Sequence, residues 1–379
     1  MLFFLGAVFL IVLAALVVRV IKFAPQAVDY LTNRTIELKK TPENKINILL
    51  LGTGGANHDG PNLSDTIILA SIDPNKDTVT LISVPRDLWD PTLQAKINTA
   101  YAFGQDRGTG QGLTLARQEI SKILGQPIDY GFRIDFGGFV KAVNMLGGLD
   151  INVARTFDDY QYPIEGKEDD TCGLTDDQIA SLEAQAASGS ATDETDPFAC
   201  RYEHIHFNAG LQHMDGETAL TYVRSRHALG PEGTDFARSQ RQEKVISAFK
   251  KKIFSAGTYL NPVKIVSLFT IFKDSIDTDI SENDIGNFVK LAEKMKGATI
   301  KSYVIDMGEG DRIGLLVNPP ISPEYNNSWV LSPSLGNGKY TEIHQYVACV
   351  LVSSNCEVTE TGVVTPTPIP TVGIPKKKK

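Results

Sequence analysis

The chain has 379 residues, 42% hydrophobic and 22% charged, with a formal net charge of -8. That length allows one large domain or two ordinary ones, each with a substantial core, and the composition is not that of a disordered chain. The acidic balance argues against nucleic acid as the main partner, because such binders carry a basic field over a whole face.

Met1 to Val18 carry no charge, and this stretch is long enough for a membrane-crossing helix, so a single transmembrane anchor is expected over 1–22. No small-residue cleavage site follows it, which favours an uncleaved anchor over a removed signal. Arg19 and Lys22, just after the span, favour a cytoplasmic body by the positive-inside tendency, whereas the cysteine pattern favours an extracytoplasmic one. The second reading is taken. Residues 23–44 then form a stalk.

Ile46 to Gly52 is an apolar run that predicts a strand ending in a Gly-Thr-Gly-Gly loop. Thr66 to Ile72 and Thr78 to Val84 predict two more, joined as a hairpin by the turn Asp73-Pro-Asn-Lys-Asp77. Being apolar on both faces, these are central strands. Helical spacing over Leu113 to Leu124 ends at Gly125, and over Gly138 to Leu146 at Gly147-Gly148, with a strand from Ile128 to Phe136 between them. Strands alternating with helices predict a layered α/β domain, α-β-α, with helices on both faces of a central mixed sheet.

Residues 156–205 read as an insertion rich in Ser, Ala, Asp and Glu. The four cysteines fall into two pairs, Cys172 with Cys200 and Cys349 with Cys356, neither with metal-site spacing. Disulfides are the natural reading, the first closing the insertion, and four buried thiols are the alternative. Gln242 to Phe254 predicts an amphipathic helix. Residues 261–355 read as helices (Val263 to Phe272, Ile285 to Met295, Thr341 to Leu351) and two β-segments (Thr299 to Asp306, Arg312 to Val317), either completing the domain or forming a small second one. A Pro, Thr and Lys-rich tail over 356–379 is expected to be disordered.

Four arginines, Arg224, Arg226, Arg238 and Arg241, occur within eighteen residues. Guanidinium groups are always charged and suit bidentate capture of phosphate oxygens, so this cluster on an acidic chain implies an anionic partner. Arg224 and Arg226 are two apart at the end of a strand-like or terminal-helix stretch, an alternation that points both to one side. Asp235 is positioned to cap a helix, and Arg238 and Gln242, four apart, share its face. The bland alternative is a capped surface helix with solvated charges. Asp65 stands at the start of one hairpin strand and Arg86 just after the other; these ends share a sheet edge, so the two face one site. Lys96 adds a cation in a following loop.

The ordered set of motifs resembles the LytR-CpsA-Psr family of cell-wall phosphotransferases. It comprises Leu50-Leu-Gly52, Ser64-Asp-Thr66, Val84-Pro-Arg-Asp87, Lys96-Ile-Asn98, Asp135-Phe-Gly-Gly-Phe139, Leu146-Gly-Gly-Leu-Asp-Ile-Asn-Val153, Asp215-Gly-Glu-Thr-Ala-Leu220, Tyr222-Val-Arg-Ser-Arg226 and Asp235-Phe-Ala-Arg-Ser-Gln-Arg-Gln242. Together these span a little over half of the chain, defining a domain over 45–260. The resemblance implies a membrane-anchored extracytoplasmic enzyme that moves a glycopolymer from a polyprenyl pyrophosphate carrier to peptidoglycan, with Mg²⁺ bridging the phosphates. It implies that Asp65 binds the metal and that Arg86, Arg224, Arg226 and Arg238 hold phosphate. Gln242, Lys96 and Arg241 are further substrate contacts, and Asp235 is a base or orienting group. It also implies a lipid cavity, for which Phe132, Phe136, Phe139 and Val143 are the candidates, with packed core as an equal alternative. One departure stands out: where the family commonly carries a second metal-site aspartate after Gly52, this chain has Thr53, and Asp59 is the nearest substitute. A non-catalytic lipid or glycopolymer binder and a lipid pyrophosphatase are the competing readings.

Overall fold

The computed structural model describes residues 36–55, 60–167, 169–187, 196–253, 275–281, 284–309, 312–359 and 362–364. The span expected at 1–22, most of the stalk, Asp59 and the helix expected at 263–272 lie outside them. No helix among the described residues is long and apolar enough to cross a membrane.

Strands β1 (Ile46–Thr53), β2 (Ser64–Asp73) and β3 (Thr78–Ser83) form the antiparallel centre of a six-stranded sheet. Asp73 Oδ1 accepts from the backbone N–H of Asn75 and Lys76, closing the β2–β3 turn predicted from sequence. Short strands β4 (Trp89–Asp90) and β5 (Ala95–Lys96) make a small hairpin beyond β3. Helices α1 (Ala100–Arg107) and α2 (Gln111–Leu124) then carry the chain back to β6 (Tyr130–Asp135), which pairs parallel with β1. α2 ends at Gly125, where φ of 65° in the left-handed region lets its N–H reach Ser121.

The sheet buries alternate residues on opposite faces, as a period of two requires. Leu49, Leu51, Ile67, Leu69 and Ile82 pack with α1 and α2 on one side. Leu50, Ile68, Ala70 and Leu81 face the other side, where Ile246 packs against them. Ile246 lies in the helix Asp235–Ile253, so helices cover both faces and the mixed α/β architecture is as expected.

A second core lies beside the sheet. Helix α3 (Phe136–Met145) is followed by β7 (Leu149–Val153) and β8 (Phe157–Pro163), and after α4 (Asp176–Ala187) the chain returns through β9 (Tyr202–Phe207) and β10 (Gly210–Met214). β7 pairs with β10, and β8 with β9. Phe157 and Phe207 stack at 5.2 Å, with Tyr222 edge-on to Phe207. The base of the insertion is therefore built into this core, and the Cys172–Cys200 disulfide ties its outer part. Helices α5 (Gly216–Arg224) and α6 (Asp235–Ile253) complete it, α6 running continuously from Asp235 through the amphipathic stretch expected from Gln242.

β11 (Ile276–Thr278) extends the sheet beside β6, and after α7 (Ile285–Lys294) strand β12 (Thr299–Val304) extends it beside β3. α8 (Thr341–Val350) buries Ile343, Val347 and Val350 in the same core as α2. The Cys349–Cys356 disulfide follows. Where a disordered tail was expected from 356, Glu357–Thr359 pairs with Gly362–Val364 as a hairpin. Val358, packed on the core, supplies the apolar anchor that composition alone concealed.

Candidate functional site

The β2–β3 hairpin sets two residues at one sheet edge. Asp65 is the second residue of β2, and Arg86 lies three residues past β3; the guanidinium of Arg86 donates to the Asp65 carboxylate, as the topology predicted. Arg86 Nε also lies 3.4 Å from Asp87. Burial alone would lower the Arg86 pKa, but the Asp65 and Asp87 carboxylates outweigh it and raise it.

Asp87 is the hub that sequence reading missed. Its side chain is only 11% exposed, with Lys96 Nζ at 2.8 Å, Arg86 Nε at 3.4 Å and Arg226 Nη2 at 3.6 Å. Burial would raise the carboxyl, but the Lys96 hydrogen bond and the charges of Arg86, Lys96 and Arg226 hold it below the ordinary aspartate range. One carboxylate thus gathers three cations from separate parts of the chain.

Helix α6 forms the facing side. Arg238 and Gln242 line one cleft with Asp65, Thr66, Val84 and Val304, so the four-residue spacing does put them on a shared face. Gln242 Nε2 donates to Thr66 Oγ1 at 3.3 Å. The helix cap is not Asp235. Thr234 Oγ1 accepts from the N–H of Ala237, and Asp235 is the first helical residue.

Between these sides runs the segment carrying Arg224 and Arg226. Arg224 is the last residue of α5 rather than part of a strand, so the two arginines do not simply alternate to one side. The Arg224 guanidinium lies 4.4 Å from the ring centroid of Phe136 and 5.7 Å from that of Tyr162, while Arg226 reaches Asp87. The backbone here is gripped from below. Asp159, fully buried, accepts from Ser225 Oγ at 2.7 Å and from the N–H groups of His227 and Arg226 at 3.1 and 3.2 Å. Arg241 donates to the Ser225 carbonyl at 2.8 Å. Sequence reading gave Asp159 no role, and the only signal for it was the acidic pair Asp158-Asp159 set between Phe157 and Tyr160 at the start of the insertion.

Arg241 is corrected accordingly. It is 2% exposed, bonds Glu232 as well as Ser225, and lies 5.0 Å from the Phe157 centroid, so it is an internal strut rather than a substrate contact. Charge in a sequence does not reveal burial. Val143 is likewise core, fully buried among Leu149, Ile151 and Phe157, and Phe139 packs on the same cluster. Phe136 lies beneath Arg224, and Phe132 is half-buried in β6.

Thr53 sits at a bulge where β1 shifts register against Ser64, a place where strands often re-aim a side chain. Its hydroxyl is buried and accepts from Arg133 Nε at 2.8 Å. Hard cations take oxygen ligands, and Mg²⁺ commonly uses one or two carboxylates plus substrate phosphates. The described residues fit that pattern with Asp65 as the carboxylate. Beside it Ser64 Oγ is buried with no hydrogen-bond partner among the described residues.

A mixed sheet with two carboxylates, Asp65 and Asp87, and converging guanidinium groups at its edge defines an α/β protein with a cationic groove. The chain belongs to the LytR_cpsA_psr family, whose sequence pattern matches residues 20–317. It is 28% identical over 266 residues to the polyisoprenyl-teichoic acid–peptidoglycan teichoic acid transferase TagU of Enterococcus faecalis, covering 67% of this chain and 70% of that protein. It is 28% identical over 257 residues to the enzyme of the same activity, TagV, of Bacillus subtilis, covering 66% of this chain and 53% of that protein. The crystal structure of B. subtilis TagV shares the fold, with a TM-score of 0.50 at 23% identity over 81% of this chain and 97% of that one.

Proposed function

We propose that this chain is a phosphotransferase that moves a glycopolymer from a polyprenyl pyrophosphate carrier onto peptidoglycan, held at the membrane by residues 1–22 with its body outside. The observation that carries this reading is the convergence of Arg86, Lys96 and Arg226 on Asp87, beside Asp65 and across from Arg238. Asp65 and Asp87 offset only part of the charge of Arg86, Lys96, Arg226 and Arg238, and a pyrophosphate matches the positive excess. The activities named for TagU and TagV support the same reaction.

In this reading a peptidoglycan hydroxyl attacks the phosphorus that bears the glycopolymer. The bond from that phosphorus to the bridging pyrophosphate oxygen breaks, polyprenyl phosphate leaves, and a phosphodiester joins polymer to acceptor. The hydroxyl proton is released, and Asp235 at the start of α6 orients the acceptor. Phosphoryl transfer demands charge neutralisation and alignment more than covalent help from the protein. Arg86, Arg226 and Arg238 neutralise the phosphate oxygens, and Arg224, close over the Phe136 ring, presents a further guanidinium. Asp65 would hold Mg²⁺, which when bound would withdraw charge from the phosphate oxygens. Phe136, beside Arg224, marks the side from which the lipid approaches, with Phe132 on β6 as the further apolar candidate.

The test is incubation of the full chain with a polyprenyl pyrophosphate-linked saccharide, Mg²⁺ and peptidoglycan oligomers. A saccharide–peptidoglycan conjugate is the expected product. Free saccharide phosphate without conjugate would replace the reading with a lipid pyrophosphatase. Intact bound lipid would replace it with a binding protein, an alternative that Thr53 at the metal side favours.

A further inference from the structure

The chain has two tryptophans, and they are placed oppositely. Trp89 is 2% exposed, while Trp329 is 48% exposed. Single exposed apolar residues are ordinary, but Trp329 is mounted with care. On one side of it Tyr325 packs edge-on against Trp89 at 5.6 Å, and on the other Val330 joins the same small core. Leu331 donates its N–H to the Asp87 carbonyl at 2.9 Å and accepts from Trp89 N–H at 2.8 Å. Asn318 donates to the Val330 carbonyl at 2.7 Å, and Asn326 to the Gln94 carbonyl at 2.9 Å. The loop is thus fastened before and after Trp329, leaving the indole at the surface on a rigid base.

That indole stands at the rim of the cationic groove. Lys96 Nζ is 5.9 Å from its ring centroid and 2.8 Å from Asp87, which also meets Arg86 and Arg226. Trp329 lies beyond residues 20–317, which match the family pattern.

We propose that Trp329 is a sugar-binding platform, on which a ring of the phosphate-linked saccharide stacks while its phosphate lies among Arg86, Lys96 and Arg226. This rests on the phosphotransferase reading of the groove. A sugar ring offers an apolar C–H face that suits an indole and hydroxyls that suit the exposed amides of Gln94, Asn326 and Asn327 on the same loops. The neighbouring polar side chains and the charged groove favour a saccharide over a lipid surface as the occupant.

The test titrates the full chain with farnesyl pyrophosphate and with the same lipid carrying a disaccharide on its terminal phosphate. Affinity is followed by calorimetry and by indole fluorescence, in which Trp329 is the exposed reporter. The saccharide is expected to tighten binding about fivefold and to shift the Trp329 emission, because an aromatic contact of this kind contributes about 1 kcal/mol. Trp329→Ala removes the gain while keeping farnesyl pyrophosphate affinity within about twofold, and Trp329→Phe keeps most of the gain. A saccharide gain that survives in Trp329→Ala overturns the proposal, as does equal fluorescence response to the sugar-free lipid. Loss of binding to anionic phospholipid vesicles in Trp329→Ala, with the saccharide gain intact, would make the residue a membrane contact instead. If the wild type fails to bind farnesyl pyrophosphate, the groove reading itself falls and takes the platform with it. If it binds with no saccharide gain, only the platform falls.

Discussion

The two sides of the groove are held by opposite means. On the arginine side, a segment three residues long is gripped from beneath by a buried carboxylate, Asp159, and a buried guanidinium, Arg241. Above it, Arg226 meets Arg86 and Lys96 on a third fixed charge, Asp87. On the carboxylate side, Asp65 is the acid facing the cleft, and Thr53 is occupied with Arg133. The contrast suggests that anion capture is preorganised by the fold, whereas a cation on the other side depends on oxygens arriving with the substrate. Binding and turnover should therefore respond to different substitutions.

The comparison is broken most directly at Asp65. Asp65→Asn is expected to lower transfer by about a thousandfold, since it removes the metal-side carboxylate, while leaving farnesyl pyrophosphate affinity within about tenfold. Transfer assays beside calorimetry read this split, and a parallel loss of binding would show that the two sides are not separable. Arg226→Ala should do the reverse, weakening lipid pyrophosphate binding along with a loss of about a hundredfold in kcat/KM.

Beneath the arginine side, Asp159→Ala leaves Ser225 Oγ and the backbone N–H groups of Gln161, Arg226 and His227 without their acceptor. It should cost about 3 kcal/mol of stability by chemical denaturation, and the surviving folded enzyme should show a raised KM. Arg241→Met should destabilise by a similar or smaller amount, because Glu232 is left unpaired; a normal KM in the folded fraction would separate its internal role from a substrate contact.

Asp87 sharpens the contrast through pH. Its folded pKa lies below the ordinary value, so its contribution to stability is fully present above that value and is lost as pH falls through the folded one. The stability difference between wild type and Asp87→Asn should accordingly stay constant from neutral pH down to about pH 5 and close only below about pH 4. Thermal denaturation across that range checks it; a gap already closed at about pH 6 would mean that the three cations do not hold the carboxyl as described.

Much of this was legible in the sequence where the relevant contacts are local or follow from strand pairing. Asp65 and Arg86 meet because antiparallel neighbours begin and end at one edge, and Arg238 and Gln242 share a face because they are four apart on a helix. Asp159 was not legible, since its partners lie 66 to 68 residues away and its role is to bond backbone groups. Arg241 was misread because a formula of charges carries no information about depth. The helical ending at Arg224 was also ambiguous in sequence, as a few apolar residues fit either period. Trp329 escaped notice because its meaning depends on Lys96, far away in the chain and beside it in space.

The central claim, that the arginine side holds pyrophosphate by preorganisation rather than through a metal, is tested by calorimetry of farnesyl pyrophosphate with the full chain, with Mg²⁺ and with EDTA. Binding that persists in EDTA within about tenfold, and is lost in an Arg226→Ala, Arg238→Ala double variant, is the predicted result. Binding that disappears in EDTA, or that survives the double variant, would contradict it.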